Sequence, residues 1–258
     1  MKKFTIIFLI CLIFPSLSKA YTIKHNFFVT VGLFDASKTE FTYSLNKNTY
    51  KIASKIMTNG FFNTIYPFEA NYITSGTIKN SQMTTIDYNY ESKSRTKKRS
   101  KKVFYKNGQP IYQHIIQNNK EKTHNFTPSP TPADTFDLQT VIAKIIYQFN
   151  ELNFCDSILK VYDGRRRFDV IIKDEGNENL IANKHSFYTG NAAKCSMHIQ
   201  KILSDEDDQL WEISSNRPIL FWFARDPKNN YPFIAKIYIK NTPLGELTAH
   251  TTNITIEE

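Results

Sequence analysis

The feature that most constrains this chain is a hydrophobic alternation of period two, repeated from Tyr21 to about Gln117. Phe27-Phe28-Val29-Thr30-Val31, Phe41-Thr42-Tyr43-Ser44-Leu45 and Tyr50-Lys51-Ile52-Ala53-Ser54-Lys55-Ile56 are rich in Thr, Tyr, Ile and Phe. Polar turn residues separate them, as at Asn46-Lys47-Asn48 and Asn59-Gly60. Such runs read as antiparallel strands with one wet face, because successive strand side chains point to opposite sides. Lys106-Asn107-Gly108-Gln109 is the clearest hairpin turn, since Asn-Gly accepts the positive φ that tight hairpins need. Strand-like runs resume after Cys155: Phe168 to Ile172, Ser196 to Ile202, Ile219 to Phe223, Phe233 to Ile239 and Glu246 to Ile254. The pattern predicts about ten to twelve strands.

Two segments interrupt the alternation. Thr127-Pro128-Ser129-Pro130-Thr131-Pro132 cannot supply a ladder of N–H donors and reads as a loop or extended linker. From Asp137 to Phe149, apolar residues fall at Leu138, Val141, Ile142, Ile145, Ile146 and Phe149, the spacing of an amphipathic helix over about 137–150. Such a face needs a large apolar surface, and the sheet supplies one. The expected fold is therefore all-β and mainly antiparallel. It is a curved sheet or partly open β-barrel packed on one helix, with residues 21–258 forming a single domain.

The first twenty residues read as a signal peptide. Met1-Lys2-Lys3 is basic, Phe4 to Phe14 is apolar apart from Thr5, and Ser18-Lys19-Ala20 places small residues at a cleavage site. The apolar run is short for a membrane span. The reading is export to the periplasm with cleavage near Ala20; an uncleaved anchor is the alternative. Cys11, mid-way through the apolar run and preceded by Ile10, is a poor lipidation site. Cys155 and Cys195 then remain in an oxidising compartment, where a pair is most simply one disulfide. Closing that loop of about 41 residues stabilises by about 4 kcal/mol in the chain-entropy picture.

Charge narrows the choice of partner. The formal charge is +9, but the signal holds Lys2, Lys3 and Lys19. Residues 93–102 hold seven further cations and no acid, leaving 23 cations against 24 acids elsewhere. The chain is thus a near-neutral β domain with one basic segment. Read as a continuous strand, that segment puts Lys93, Arg95, Lys97, Arg99 and Lys101 on one face along roughly 26 Å. The reading is either a solvated sheet edge or an anion-binding surface centred on Arg95, Lys97 and Arg99. Tyr162-Asp163-Gly164-Arg165-Arg166-Arg167-Phe168-Asp169 offers a second cationic group, in which Arg165 and Arg167 share a face. Guanidinium forks there could clamp an anion or fix the turn through internal ion pairs. After export, nucleic acid is not an expected partner.

No enzymatic signature emerges. The six histidines form no HExxH or close pair, and no GxSxG, P-loop or GxGxxG occurs. Asp205-Glu206-Asp207-Asp208 lacks the central Gly and distant Glu of a calcium loop and reads as a solvated acidic loop. No metal or cofactor is expected.

The block Val161-Tyr162-Asp163-Gly164-Arg165-Arg166-Arg167-Phe168-Asp169, flanked by Cys155 and Cys195, carries a resemblance. So do Tyr50, Gly60, Tyr66-Pro67-Phe68, Gly76, Asp134-Thr135-Phe136-Asp137, Tyr188-Thr189-Gly190, Trp222-Phe223-Ala224 and Thr242-Pro243-Leu244-Gly245. On these residues the chain resembles the exported proteobacterial proteins of the domain-of-unknown-function family number 3108. The resemblance implies an exported, barrel-like all-β domain and brings no established activity. The function expected is a non-enzymatic binding or carrier module for an apolar or lipid-like ligand, with Leu138, Val141, Ile142 and Ile145 as one wall. The alternative is an envelope scaffold or assembly factor that binds an anionic envelope surface through the basic strand.

Overall fold

The computed structural model describes residues 20–126, 135–162, 167–203, 217–242 and 244–257. The signal segment, the Pro-rich stretch, Asp163 to Arg166 and the acidic run Asp205 to Asp208 lie outside the described residues. One wing of the sheet runs through β1 (Tyr21–Val31), β2 (Phe34–Leu45), β3 (Thr49–Thr58), β4 (Phe68–Lys79), β5 (Gln82–Ser94), β6 (Lys98–Lys106), β7 (Gln109–Gln117) and β8 (Lys120–Asn125). The other runs through β9 (Ser157–Tyr162), β10 (Arg167–Leu180), β11 (Gly190–Leu203), β12 (Ile219–Arg225), β13 (Pro232–Thr242) and β14 (Gly245–Glu257). All 14 form one sheet in which consecutive strands pair, except β8 with β9, and in which β1 also pairs with β14. That pairing, with Ile23 opposite Ile256 and Val29 opposite Ala249, joins the wings and leaves β8 and β9 as the edges.

The strand count exceeds the ten to twelve predicted. Two-residue turns at Asn80-Ser81 (φ 50° and 62°) and Asn118-Asn119 (φ 48° and 63°) cut runs that lack a Gly or Pro marker. Both central residues adopt positive φ, the geometry that matches strand twist in tight hairpins. Asn107-Gly108 forms the turn expected of it, with Lys106 opposite Gln109. A second helix, α1 (Gly60–Ile65), joins β3 to β4. At six residues it is too short to display a helical period in sequence.

The predicted amphipathic helix is α2 (Leu138–Leu152). Val141, Ala143, Ile145, Ile146 and Phe149 are buried in the core with Tyr43, Ile52, Val161, Phe168 and Phe223. Both helix ends are pinned. At the N-terminus, Asp137 caps by accepting from the backbone N–H of Gln139 and Thr140. At the C-terminus, Arg225 of β12 donates to the carbonyls of Phe149 (3.0 Å) and Asn150 (3.4 Å), where the helix dipole favours a cation.

The sheet is not closed by a ladder, but the segment entering α2 stitches its gap. Phe136 bridges in parallel to Val161 of β9, its N–H donating to Lys160 O at 3.0 Å while Tyr162 N–H donates to its carbonyl at 3.1 Å. The neighbouring Thr135 hydroxyl donates to Gly108 O in the β6–β7 turn. Tyr105 of β6 donates to Tyr162 O across the same gap. The Cys155–Cys195 disulfide ties the chain after α2 to β11.

A smaller core of Leu180, Ala192, Trp222, Ala224, Phe233 and Ala235 packs with Tyr188. Lys194 and Lys236 lie over the Trp222 ring at 5.6 and 4.5 Å.

Candidate anion-binding surface

Two sequence-selected constellations resolve into architecture. Asp137 is fully buried and collects donors from two strands and its own helix. Its Oδ1 accepts from Thr74 Oγ1 and Gln139 N–H, each at 2.9 Å, and from Thr140 N–H at 3.3 Å. Its Oδ2 accepts from Thr85 Oγ1 at 2.9 Å and from the Thr140 hydroxyl. Burial still dominates and pushes the Asp137 pKa up, against the lowering effect of these bonds. Tyr50 joins the network through Thr140 Oγ1 at 2.8 Å, and its ring lies on Gly76 of the neighbouring strand. A Cβ at position 76 would sit 2.3 Å from that ring. Tyr50, Gly76 and Asp137 therefore fasten α2 to β3, β4 and β5.

The four helix residues expected to wall a ligand site divide. Val141 and Ile145 are buried in the core, Ile142 packs against it half-buried, and Leu138 is 41% exposed.

The basic segment does not form one strand. It folds back as the β5–β6 hairpin, with Arg95-Thr96-Lys97 at the tip and Lys93 directly opposite Lys98. A Ser94–Lys97 turn explains the reversal: Ser94 N–H donates to Lys97 O at 2.8 Å, and Lys97 N–H donates back to Ser94 Oγ at 3.2 Å. The hairpin relieves the repulsion of five cations on one face by dividing them. Thr85 reaches Asp137 inside the sheet. The register then turns Arg99 and Lys101 to the concave face, and Lys93, Lys98 and Lys102 to the convex one.

Neighbouring elements hold the tip. The Arg95 guanidinium donates to Thr64 O of α1 at 3.1 Å, and Asn118 Oδ1 in the β7–β8 turn accepts Lys98 N–H at 2.9 Å. Among the described residues, Lys93, Arg95, Lys97, Lys98 and Arg99 form no ion pair. Lys93 stands opposite Lys98 of β6, a like-charge cross-strand pair that destabilises a hairpin, and opposite Glu69 of β4 on its other side, which offsets part of that repulsion. A cleft of about 520 Å³ beside the tip is lined by Met57, Asn63, Phe68, Lys93 and Arg95.

Sequence reading missed two contributors. Lys120 and Lys122 of β8 share the concave face with Arg99 and Lys101, because Gln117 pairs with both Arg99 and Lys120 while Ile115 pairs with both Lys101 and Lys122. The alternation Lys120-Glu121-Lys122 is the signal that could have found them. Of the second cationic group, Arg165 lies outside the described residues. Arg167 opens β10, opposite Tyr162 and Leu203, in the other wing of the sheet from the hairpin.

Ser186 Oγ stands 3.5 Å from His250 Nδ1, and the Asn183 side-chain amide faces the same ring at 3.1 Å. His250 has its pKa lowered to about 4, first by burial and then by the neighbouring Lys236 and His185 side chains. An amide neighbour in place of a carboxylate, and a pKa so far below neutrality, do not favour a general base. The chemistry available at the hairpin is different: multidentate, salt-sensitive attraction of anionic groups by ammonium and guanidinium ions.

The family described as "Protein of unknown function (DUF3108)" matches residues 20–251. No curated protein matches the chain. Among solved structures, a beta-barrel-like protein of domain of unknown function DUF1849 from Brucella abortus is similar, with a TM-score of 0.51 at 7% identity. The alignment covers 93% of this chain and 98% of that one. At that identity the likeness is one of fold.

Proposed function

This chain belongs to the DUF3108 family of proteins of unknown function, and from that premise we propose that it is an exported, non-enzymatic binding module that docks on an anionic surface of the cell envelope through the β5–β6 hairpin. The observation that carries the reading is the group of five cations, Lys93, Arg95, Lys97, Lys98 and Arg99, held without ion pairs among the described residues at one end of an otherwise near-neutral chain. Export and periplasmic residence, with cleavage near Ala20, belong to the same proposal. The layout of residues 1–20 and the Cys155–Cys195 bridge support them.

Reversing Arg95, Lys97 and Arg99 to Glu tests the docking reading. Each cation near an anionic surface contributes about 1 kcal/mol, so the triple variant should bind immobilised dextran sulfate and phosphatidylglycerol vesicles about a hundredfold more weakly. Equal retention of wild type and variant on both would overturn it.

A second reading, a carrier for an apolar or lipid-like ligand, is supported by the sheet's inner face beyond the helix. Ile56, Tyr72, Tyr90 and Ile115 share that face half-exposed, with the two tyrosine rings 4.9 Å apart. Native mass spectrometry of periplasmic protein distinguishes it, since absence of co-purified lipid counts against a carrier.

A further inference from the structure

The antiparallel meander brings several turns to one end of the sheet. The β1–β2 turn lies beside the β13–β14 turn, with Gly32 N–H donating to Glu246 O at 2.8 Å. Helix α1 lies against the start of β2, where Asn59 N–H donates to Ala36 O at 2.9 Å and the Phe34 ring sits 5.7 Å from that of Phe61. The basic hairpin is fastened to α1 by the Arg95–Thr64 contact. These turns expose a row of large apolar side chains. Leu33 is 99% exposed, Leu244 68%, and Phe34, Phe61, Ile65 and Tyr66 between 52% and 57%. Single exposed apolar residues are ordinary on a soluble protein, but a cluster of this size on projecting turns marks an interaction surface.

Charge identifies the occupant. Cations flank the apolar row on the α1 side: Arg95, Lys97, Lys93 and Lys98 on the hairpin, and Lys120 just beyond the Asn118 turn. Among the described residues, the acids at this end include Asp35, Glu69, Glu91, Glu121 and Glu246; Glu69 is already paired with Lys55 at 3.3 Å, and Glu121 contacts His114. Apolar side chains on protruding tips with a basic collar have the arrangement of an interfacial membrane anchor. The tips enter the boundary between headgroups and acyl chains while the cations meet lipid phosphates. A protein partner would be expected to find a continuous concave or flat patch, whereas here the apolar groups sit on separate turns and project.

We propose that this rim docks the protein on an anionic lipid bilayer, with Leu33, Phe34, Phe61, Ile65 and Leu244 inserting below the headgroups. The proposal rests on the anionic-surface reading above and names its partner. Its test uses vesicles of phosphatidylcholine with and without phosphatidylglycerol, and a Phe61→Trp variant read against the background of Trp211 and Trp222. The expected result is binding that needs phosphatidylglycerol, with quenching of the new tryptophan by brominated acyl chains. Leu33→Glu and Phe61→Glu should each weaken binding about tenfold, the scale set by the transfer of one large apolar side chain from water. Leu244→Glu, on a different turn, should do the same, and thermal melts of all three should match the wild type because the positions are exposed. Vesicle binding that survives these substitutions without quenching would overturn insertion and leave an electrostatic contact. Retention on dextran sulfate without vesicle binding would overturn the bilayer and leave the anionic-surface reading. Binding to neither would overturn both.

Discussion

Replacing Asp137 with Ala should be among the most damaging single changes to this fold that adds no bulk, and its cost can be worked from the contacts. The carboxylate is a helix N-cap, and loss of such a cap costs about 1 kcal/mol. Thr85 and Thr140 donate their hydroxyls to Oδ2 inside the protein; the two hydroxyls lie 3.0 Å apart and can bond each other, so one buried donor is left stranded, at a cost of about 1 kcal/mol or more. Thr74 fares better, because its hydroxyl also lies 2.9 Å from Gln139 Oε1. Removing a buried carboxylate returns part of its desolvation cost, so the expected net loss is about 2 to 4 kcal/mol. For a domain of this size that is a drop in melting temperature of roughly 10 °C. Urea unfolding of the disulfide-intact protein measures it, and hydrogen exchange across α2 should show protection lost there first. Asp137→Asn keeps one oxygen for the backbone N–H groups and should cost about 1 kcal/mol. Burial raises the Asp137 pKa in the folded protein, so the native state holds its proton where the unfolded chain has lost it. This group's stabilisation is therefore complete below the unfolded pKa and fades as pH rises through the raised one. The gap between wild type and the non-titrating Asn variant should narrow with rising pH. An Asp137→Ala protein with wild-type midpoint and slope would refute the assignment of the carboxylate as the helix anchor.

Two further outcomes are expected. Gly76→Ala places a Cβ 2.3 Å from the Tyr50 ring and 2.4 Å from Thr84 O. It must displace the tyrosine and its bond to Thr140, for a loss of about 3 kcal/mol in chemical denaturation; a loss under about 0.5 kcal/mol would show that the ring moves freely. His25 is buried and its pKa is lowered to about 4 by desolvation, so it contributes stability above its ordinary value of 6.5 that is lost as pH falls toward 4. Wild-type stability should drop by about 3 kcal/mol across that window through this group, and His25→Phe should flatten most of the slope. An unchanged slope would place the effect elsewhere, with half-buried His250 the next group to test.

The legible parts of the fold were those set by local periodicity. Alternation gave the antiparallel strands, the spacing of Val141, Ile145 and Phe149 gave α2, and Asn107-Gly108 gave its hairpin. Where a turn used Asn-Asn or Asn-Ser, or a helix had only six residues, the local signal was too weak and the count fell short. The basic segment misled for a related reason. Its residues alternate like a strand, but nothing among neighbours in sequence reveals that Ser94 and Lys97 close a turn. The candidate site was half visible: Arg95, Lys97 and Arg99 were found from charge alone. Lys120 and Lys122 reach the face of Arg99 only through pairing across β6, β7 and β8.

The sequence by itself determined the all-β class, the amphipathic face of the one long helix, the cysteine pair and the position of the charge. All of these follow from residues within a few positions of one another or from simple counts. Only the tertiary structure decided that Tyr50, Gly76 and Asp137 serve one buried anchor. Likewise, only the structure placed Leu33, Phe61, Leu244 and Arg95 on one rim, because antiparallel pairing across 14 strands turns distances of up to 211 residues into adjacent turns. Long-range pairing has no signature in local composition, and the candidate docking surface is made of it.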